Sequence, residues 1–335
     1  MAPACVCFHI KNHSINCAAR NQTLVRRAFF LLSFLSALYY SLNMYQVLLF
    51  YKYVTIADPV LLMRELRALC ERLKLTGRVL IASEGLNATI EGKTEDTEAF
   101  ARELVSDERF SNIRVKRSRG TGNSFRKLSV KVKDEIVGTK FSPEEADPRV
   151  LTAPRLKPEE LRSWYENGKD FVVVDMRNSY EYVSGHFKNA IDPGLENSRD
   201  LSAAVANLEP FKEKTVLTVC TGGVRCEKMS AYLMNKGFSD VYQLEDGIHA
   251  YMEKYPGKDF LGTLYTFDQR LTMHFGGEER EVIGRCTICG AKTEQYVNCM
   301  NNACHLHFLA CTNCAPSGNV YCGLACEPAI AGGGE

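Results

Sequence analysis

The fold of the middle of the chain is decided by one stretch, Val216-Leu217-Thr218-Val219-Cys220-Thr221-Gly222-Gly223-Val224-Arg225. Its first four residues form an apolar run that is typical of a buried parallel strand. We expect a helix to open at Cys226 or Glu227. The residues between therefore form a strand-to-helix turn, in which Gly222 and Gly223 let the backbone curl tightly with its N–H groups facing inward.

A turn of this kind has a chemical consequence for Cys220. Inward N–H groups at a helix N-terminus bind an anion, so they favour the nucleophilic thiolate of Cys220 near neutral pH. We expect Arg225 to add a positive charge at the rim, with Thr221 and Val224 completing the loop. Four residues separate Cys220 from Arg225, whereas cysteine phosphatases have five. The predicted cradle therefore suits a terminal sulfur or a similarly small group better than a phosphate.

Cys226 follows the loop directly, and two interpretations stay open for it. It is either a residue that starts the helix or a resolving thiol for a persulfide or sulfenic acid on Cys220.

Outward from the loop, strands alternate with helices. Apolar runs predict two more buried strands, at 171–175 and 241–244. Helical segments separate the strands, at 158–167, 201–211 and 227–236. This alternation predicts an α/β domain with a parallel sheet over residues 155–256.

Two further segments of this domain resemble signatures of rhodaneses. The first is Asp175-Met176-Arg177-Asn178-Ser179-Tyr180-Glu181-Tyr182-Val183-Ser184-Gly185-His186-Phe187-Lys188-Asn189-Ala190. The second lies downstream, at residues 237–248. Because the two segments and the Cys220 loop occur in the family's order, residues 155–256 resemble a rhodanese domain. We expect four supporting residues to hold the loop scaffold rather than touch substrate: Asp175, Arg177, Glu181 and His186.

Residues 44–142 predict a separate α+β unit. Its strands are expected at 46–55, 78–82, 87–90, 113–116 and 128–132. Its helices are expected at 59–73, capped by Asp58, and at 96–105, capped by Thr94. This order is typical of a ferredoxin-like or acylphosphatase-like sandwich. Prolines between residues 143 and 158 then indicate a linker.

Eight basic residues and no acidic residue lie between Ile113 and Lys133. Gly120 and Gly122 are expected to make the centre flexible, and Phe125 offers a face for base stacking. Such a stretch can bind RNA, although charge runs are also typical of a solvated surface. The candidate RNA-binding residues are Arg114, Lys116, Arg117, Arg119, Phe125, Arg126 and Lys127.

The connecting segment and tail, residues 257–328, hold eight of the fourteen cysteines. They form four pairs: Cys286/Cys289, Cys299/Cys304, Cys311/Cys314 and Cys322/Cys326. Eight thiols in pairs are what two tetrahedral zinc sites require, and closed thiolate sites are structural. Sequential and interleaved pairings both remain open. His305 and His307 are expected to be bystanders.

Residues 1–43 differ from the rest. Arg26 and Arg27 precede a stretch without charge that resembles a signal or anchor segment. A strand pattern begins at Met44, so we interpret residues 1–43 as an extension ahead of a native start there. A membrane or signal element and a buried helix are the alternatives. The cysteine distribution favours a reducing compartment, so we expect a cytoplasmic protein without stable membrane association.

Several segments resemble the bacterial tRNA uridine hydroxylase family. They are Phe50-Tyr51-Lys52-Tyr53, Glu84-Gly85-Leu86-Asn87-Ala88-Thr89, Phe125-Arg126-Lys127-Leu128, residues 220–228 and Phe267-Asp268-Gln269-Arg270. The resemblance runs from Met44 to the C-terminus and departs at Ala88, where the family more often has glycine. It implies conversion of the wobble uridine in the tRNA anticodon loop to 5-hydroxyuridine with molecular oxygen.

Two other classes of function compete with this one. The first is a sulfurtransferase that moves sulfur from a persulfide to a small acceptor. The second is a non-catalytic binding module, which the presence of Cys220 disfavours. The net charge of +1 gives no global field that would select among partners.

Overall fold

A computed structural model describes residues 44–276 and 281–327. The predictions for residues 1–43 lie outside the described residues. From Tyr45 onward, the described residues form one compact unit. Among the described residues, no helix combines the length and apolarity that crossing a bilayer requires.

The N-terminal part is a five-stranded sheet. Its strands are β1 (Tyr45–Tyr53), β2 (Thr76–Ala82), β3 (Gly85–Lys93), β4 (Val115–Arg119) and β5 (Leu128–Val132). The spatial order is β4-β1-β3-β2-β5, with every pair antiparallel except β2 and β5. This arrangement confirms the predicted acylphosphatase-like α+β fold.

Two helices cover one face of this sheet, α1 (Pro59–Arg72) and α2 (Thr94–Ser106). Asp58 caps α1 as predicted, since its Oδ1 accepts from the N–H groups of Val60 (3.0 Å) and Leu61 (2.8 Å). The predicted cap of the second helix is wrong. Thr94 is the first residue of α2, and Lys93 occupies the cap position.

Strand β1 has two apolar faces. Leu48 and Phe50 are fully buried in the core beneath α1 and α2. Leu49 and Tyr51 alternate with them and point to the opposite face of the sheet, because side chains alternate along a strand. That opposite face meets the central domain, which explains why the strand is apolar on both sides.

The central domain has a parallel sheet of order β6-β10-β9-β7. The strands are β6 (Arg155–Leu156), β7 (Val172–Asp175), β9 (Thr215–Val219) and β10 (Asp240–Leu244), and β8 (Gly185–Phe187) lies outside this sheet. The helices are α3 (Pro158–Glu166), α4 (Ser179–Tyr182), α5 (Leu201–Ala204), α6 (Val224–Asn235) and α7 (Gly247–Lys254). The α/β prediction is confirmed.

Two helix predictions in this domain need correction. Helix α6 begins at Val224, so Arg225 and Cys226 lie in its first turn. The helix predicted at 201–211 is α-helical only in α5 and continues as a 3₁₀ helix, Val205–Phe211. Pro210 lies inside that second segment, where its missing N–H and its ring are incompatible with a regular α-helix.

The C-terminal region adds short strands: β11 (Phe260–Gly262), β12 (Leu264–Tyr265), β13 (Thr272–Met273), β14 (Tyr296–Asn298) and β15 (His307–Leu309). Strand β11 pairs with β8. Tyr296 donates its hydroxyl to the backbone oxygen of Tyr180 in α4 (2.5 Å), and His307 packs edge-on against the Tyr180 ring. The cysteine-rich tail therefore supports the segment that carries Glu181.

Candidate active site

Cys220 follows β9 at the carboxyl end of the parallel sheet and is fully buried. The N–H of Gly223 donates to its Sγ at 3.2 Å. Gly223 has a φ of +99°, a left-handed conformation that favours glycine. The structure thus forms the predicted turn with its N–H groups facing the sulfur.

Helix α7 fixes the outer side of this turn. The N–H of Ile248 donates to the Cys220 oxygen (2.9 Å), and that of His249 donates to the Thr221 oxygen (3.1 Å). A Cβ added at Gly247 would lie 2.5 Å from the Cys220 oxygen. The loop carbonyls are held on the outside, which leaves its N–H groups to face inward.

The pKa of the Cys220 thiol reflects these donors. Burial raises it, but a hydrogen bond from Cys226, the charge of Arg225 and backbone N–H donors outweigh burial and lower the pKa to about 6. An ordinary cysteine titrates near 8.5, so Cys220 is largely thiolate at neutral pH.

Arg225, predicted at the rim of the loop, lines the cavity but is buried. It is 7% exposed and paired with Glu181, with 2.9 Å between Nη2 and Oε2, and it donates to the Thr221 hydroxyl at 3.2 Å. Glu181 offsets the cost of burying the guanidinium and fixes its direction. Arg225 supports the thiolate from beneath the loop.

The other supporting residues hold α4 and β8 in place. Asp175 and Arg177 form a fully buried ion pair (2.7 Å), and Arg177 also donates to the Gly185 oxygen. His186 stacks on Tyr182 and hydrogen-bonds to its backbone oxygen (3.0 Å). None of the three lines the cavity at Cys220.

Cys226 is fully buried beside Cys220. Burial and the neighbouring sulfur raise its pKa well above the ordinary value, so it stays protonated and donates to Cys220. Cys226 is therefore both a residue of the first turn of α6 and a thiol within reach of Cys220.

The N-terminal sheet covers the loop. A Cβ at Gly222 would lie 2.9 Å from Leu49, and one at Gly223 would lie 2.8 Å from the Tyr51 hydroxyl. That hydroxyl donates to Glu227 (3.0 Å). Glycine at these positions thus allows two domains to meet at the reactive sulfur.

A cavity of about 350 Å³ remains between the sheet and the loop. The loop contributes Cys220, Thr221, Gly222, Val224 and Arg225 to its wall. The sheet contributes Leu49, Tyr51, Arg78, Leu80, Asn87 and Thr89. Asn178, Arg199 and Phe267 also line the cavity, and the Arg225 guanidinium lies 5.5 Å from the centre of the Phe267 ring.

Arg78 and Arg199 are exposed cations in the wall of this cavity, and the sequence analysis did not single them out. Arg78 is the one charged residue of the strand predicted at 78–82, and this charge was an available signal. Arg199 lies in a short 3₁₀ helix, Ser198–Asp200, whose position depends on the folded domain.

The basic stretch does not form one surface. Strands β4 and β5 are opposite edges of the sheet, about 19 Å apart at the usual strand spacing. Arg117 pairs with Glu98, and Arg114 pairs with Glu245. The remaining candidates are exposed or half-buried: Arg119, Phe125, Arg126 and Lys127.

Lys116 departs furthest from its predicted role in RNA binding. Its side chain is 8% exposed, and its Nζ donates to the Gly222 oxygen (2.9 Å) and pairs with Asp246 (3.1 Å). Docking of the sheet buries Lys116 under the Cys220 loop, where a phosphate has no access.

The segment between β4 and β5 is also fixed rather than flexible. The carboxylate of Glu91, 1% exposed, accepts from the N–H groups of Thr121, Gly122 and Ser124 and from the Ser124 hydroxyl, at 2.6–3.0 Å. A buried acid in an alternating strand was the signal for this role.

The eight tail cysteines form two clusters. Cys286, Cys289, Cys311 and Cys314 make the first, and Cys299, Cys304, Cys322 and Cys326 make the second. The pairing is therefore interleaved. Sulfur–sulfur distances of 3.5–3.7 Å approach the edge of about 3.8 Å in a tetrahedral zinc–thiolate site. Eight thiols thus fit two zinc ions. His307 lies outside both clusters and packs against Tyr180, Tyr265 and Tyr296.

Family models match three consecutive segments. Residues 45–136 match a UPF0176 acylphosphatase-like domain, residues 157–254 a rhodanese-like domain, and residues 261–327 a model described as rhodanase C-terminal. The Cys220 loop and the parallel sheet thus belong to a rhodanese-like domain that is flanked by two further modules.

Curated relatives named tRNA uridine(34) hydroxylase identify the family. The protein from Cytophaga hutchinsonii is 39% identical over 84% of this chain and 90% of its own length. That from Staphylococcus saprophyticus is 40% identical over 79% and 84%, and that from Corynebacterium kroppenstedtii is 39% identical over 86% and 100%. The chain belongs to the tRNA uridine(34) hydroxylase family.

Proposed function

We propose that this chain converts uridine 34 of tRNA to 5-hydroxyuridine, with molecular oxygen as co-substrate and Cys220 as the reacting residue. The supporting observation is the cavity of about 350 Å³ over the thiolate, closed by the N-terminal sheet. Its volume lies at the small end of ligand pockets, so it admits one nucleotide that is splayed out of an anticodon loop.

The thiolate has a direct role in this reaction. Addition of Cys220 to C6 of uracil moves the electron pair toward C5, which forms a bond to one atom of O₂ and is protonated to a hydroperoxide. Two external thiols then reduce this hydroperoxide: its O–O bond breaks, the outer oxygen leaves as water and the two thiols become a disulfide. Loss of the C5 proton and departure of the Cys220 thiolate from C6 restore the ring and the enzyme, and the hydroxyl remains on C5.

Two groups of cations are candidates for the tRNA backbone. Arg78 and Arg199 lie in the cavity wall, and Arg119, Arg126 and Lys127 are exposed near the ends of β4 and β5. Phosphate contacts supply affinity through charge, while the cavity supplies selection of the base. A cytoplasmic location fits this activity, because free thiols persist in a reducing compartment.

A sulfurtransferase is the second candidate, because the four-residue loop suits a terminal sulfur on Cys220. One experiment separates the two. The full chain is incubated with unmodified tRNA under ¹⁸O₂ with an added thiol, and nucleosides are analysed by mass spectrometry. We expect ¹⁸O in 5-hydroxyuridine. Absence of this product, together with sulfur transfer from thiosulfate to cyanide, would replace the hydroxylase by the sulfurtransferase.

A further inference from the structure

Asn178 lies in the cavity wall with an unsatisfied amide oxygen. Its side chain is 9% exposed, and its Nδ2 donates to the Tyr180 hydroxyl at 3.0 Å. Its Oδ1 has no hydrogen-bond partner within residues 44–276 and 281–327. Because a buried acceptor without a partner is unfavourable, an oxygen in this position indicates a ligand that brings a donor.

Asn178 is rigidly placed relative to the reactive sulfur. Its backbone N–H donates to Glu181 Oε1 at 3.0 Å, and the same carboxylate pairs with Arg225 of the Cys220 loop. A chain of two charge-assisted contacts thus connects Asn178 to the loop. A base that presents its C5–C6 bond to Cys220 meets Asn178 as part of the same wall.

The edge of uracil offers one donor, its N3–H, between two carbonyl oxygens. Cytosine has the same size and shape, but its N3 is an acceptor. We propose that Asn178 Oδ1 accepts the N3–H of the target uracil and so selects uridine over cytidine, an inference that rests on the proposed function. With cytosine, two acceptors would face each other in a buried site, which strongly disfavours binding.

The Tyr180 hydroxyl is the hydrogen-bond partner of one end of the Asn178 amide. It accepts from Nδ2, so Oδ1 is the end that has no partner among the described residues. Tyr180 is itself held by the hydroxyl of Tyr296 on its backbone oxygen and by an edge-on contact with Tyr265, at 5.3 Å between ring centroids. Selection of the base thus depends on a tyrosine that the cysteine-rich tail supports.

The test uses the full-length chain and two anticodon stem-loop RNAs that differ only in U34 or C34. Dissociation constants and single-turnover hydroxylation rates are measured for the parent, Asn178→Ala and the control Asn207→Ala. Asn207 is an exposed asparagine that donates to the Pro193 oxygen and lies outside the cavity wall. We expect the U34/C34 preference to fall about tenfold or more in Asn178→Ala and to stay at the parental value in the control.

A second variant, Tyr180→Phe, keeps the Asn178 side chain and removes the hydroxyl that orients it. The amide is then free to rotate and donate to cytosine N3, so C34 binding should improve while U34 binding weakens. A parental preference in folded Asn178→Ala overturns the proposal. If Asn178→Ala fails to fold, a parental preference in Tyr180→Phe overturns it instead.

The two proposals fail in different ways. Preferential binding of U34 RNA by the parent without any 5-hydroxyuridine would remove the hydroxylase function alone. Hydroxylation of U34 with an unchanged preference in both variants would remove only the role of Asn178.

Discussion

Cys220 and the eight tail cysteines carry the same side chain in opposite environments. The Cys220 sulfur accepts from a backbone N–H, lies near a guanidinium and forms part of a cavity wall. The tail sulfurs lie in two groups of four, within 4.8 Å of one another in each group. Four thiolates at such short distances repel each other unless a cation lies between them.

The difference shows that the neighbours of a cysteine decide its chemistry. Backbone dipoles stabilise a single thiolate and leave its lone pairs available to a substrate. A metal ion at the centre of four thiolates uses those lone pairs and leaves no open position. The first arrangement supports reaction, and the second supports folding.

Of the tests of this comparison, the substitution Cys220→Ser should have the largest effect. We expect the hydroxylation rate to fall about 1,000-fold or more. A serine hydroxyl stays protonated at neutral pH, whereas the Cys220 thiol, whose pKa is lowered, is ionised. Cys70→Ala is the matched control, since Cys70 is fully buried in the N-terminal core away from the cavity. The serine variant should melt like the parent. Substantial 5-hydroxyuridine from it would contradict the role of Cys220.

Removal of metal tests the other half of the comparison. We expect about two zinc ions per chain by metal analysis, and chelation should unfold the tail. Tyr296 would then release Tyr180, and a shift of about 1 Å at the cavity would lower the rate up to about 100-fold. Zinc added back should restore activity. Full activity in metal-free protein would show that the folded tail is not needed to hold the cavity in place.

The basic residues of the N-terminal sheet, rather than Cys220 or the tail cysteines, should supply the affinity for tRNA. Replacing Arg117, Arg119, Arg126 and Lys127 by Ala should weaken tRNA binding and reduce its salt slope by up to about 3. Cys220→Ala should stay within a few-fold of the parent. An equal charge change on α1, on α2 and in the turn after α1, at Arg64, Arg72, Lys74 and Arg102, is the control. Equal losses in both quadruple variants would show that only net charge matters.

The smallest effect should come from Cys226, and it sharpens the account of the thiolate. Cys226→Ala removes a donor, so the Cys220 pKa should rise from about 6 by about one unit, whereas Cys226→Ser keeps a donor. The reactive thiolate is lost as pH falls through that pKa. The pH–rate profile of the alanine variant should therefore shift to higher pH, with a loss of about twofold at pH 7 and about fivefold at pH 6. Identical profiles for alanine and serine would exclude the hydrogen bond.

The sequence allowed prediction of features that depend on local patterns. Strand β5 begins and ends where its apolar pattern predicts, and the Gly222-Gly223 pair indicated the turn after β9. Thr94 and Pro210 show the limits of local signals. A β-branched polar residue serves as the first helical residue or as a cap. Pro210 breaks an α-helix inside a segment whose other residues favour one.

Features that depend on docking escaped prediction. Lys116 and Arg225 are charged residues in plausible exposed positions, and both are buried by partners distant in sequence: Asp246 and Glu181. The interleaved cysteines likewise depend on the path of the folded tail. Asn178 appeared within a recognised signature, but only the structure shows that its amide oxygen lacks a partner.

The close approach of Gly222 to Leu49 has a consequence for how the family diverges. Gly222 has no left-handed backbone that would demand glycine, so the obstacle to a larger residue is the Leu49 side chain at 2.9 Å. Residues 222 and 49 should therefore covary: lineages that acquire alanine at 222 should also acquire a smaller residue at 49. The rhodanese loop and the sheet above it should therefore change together at these two positions.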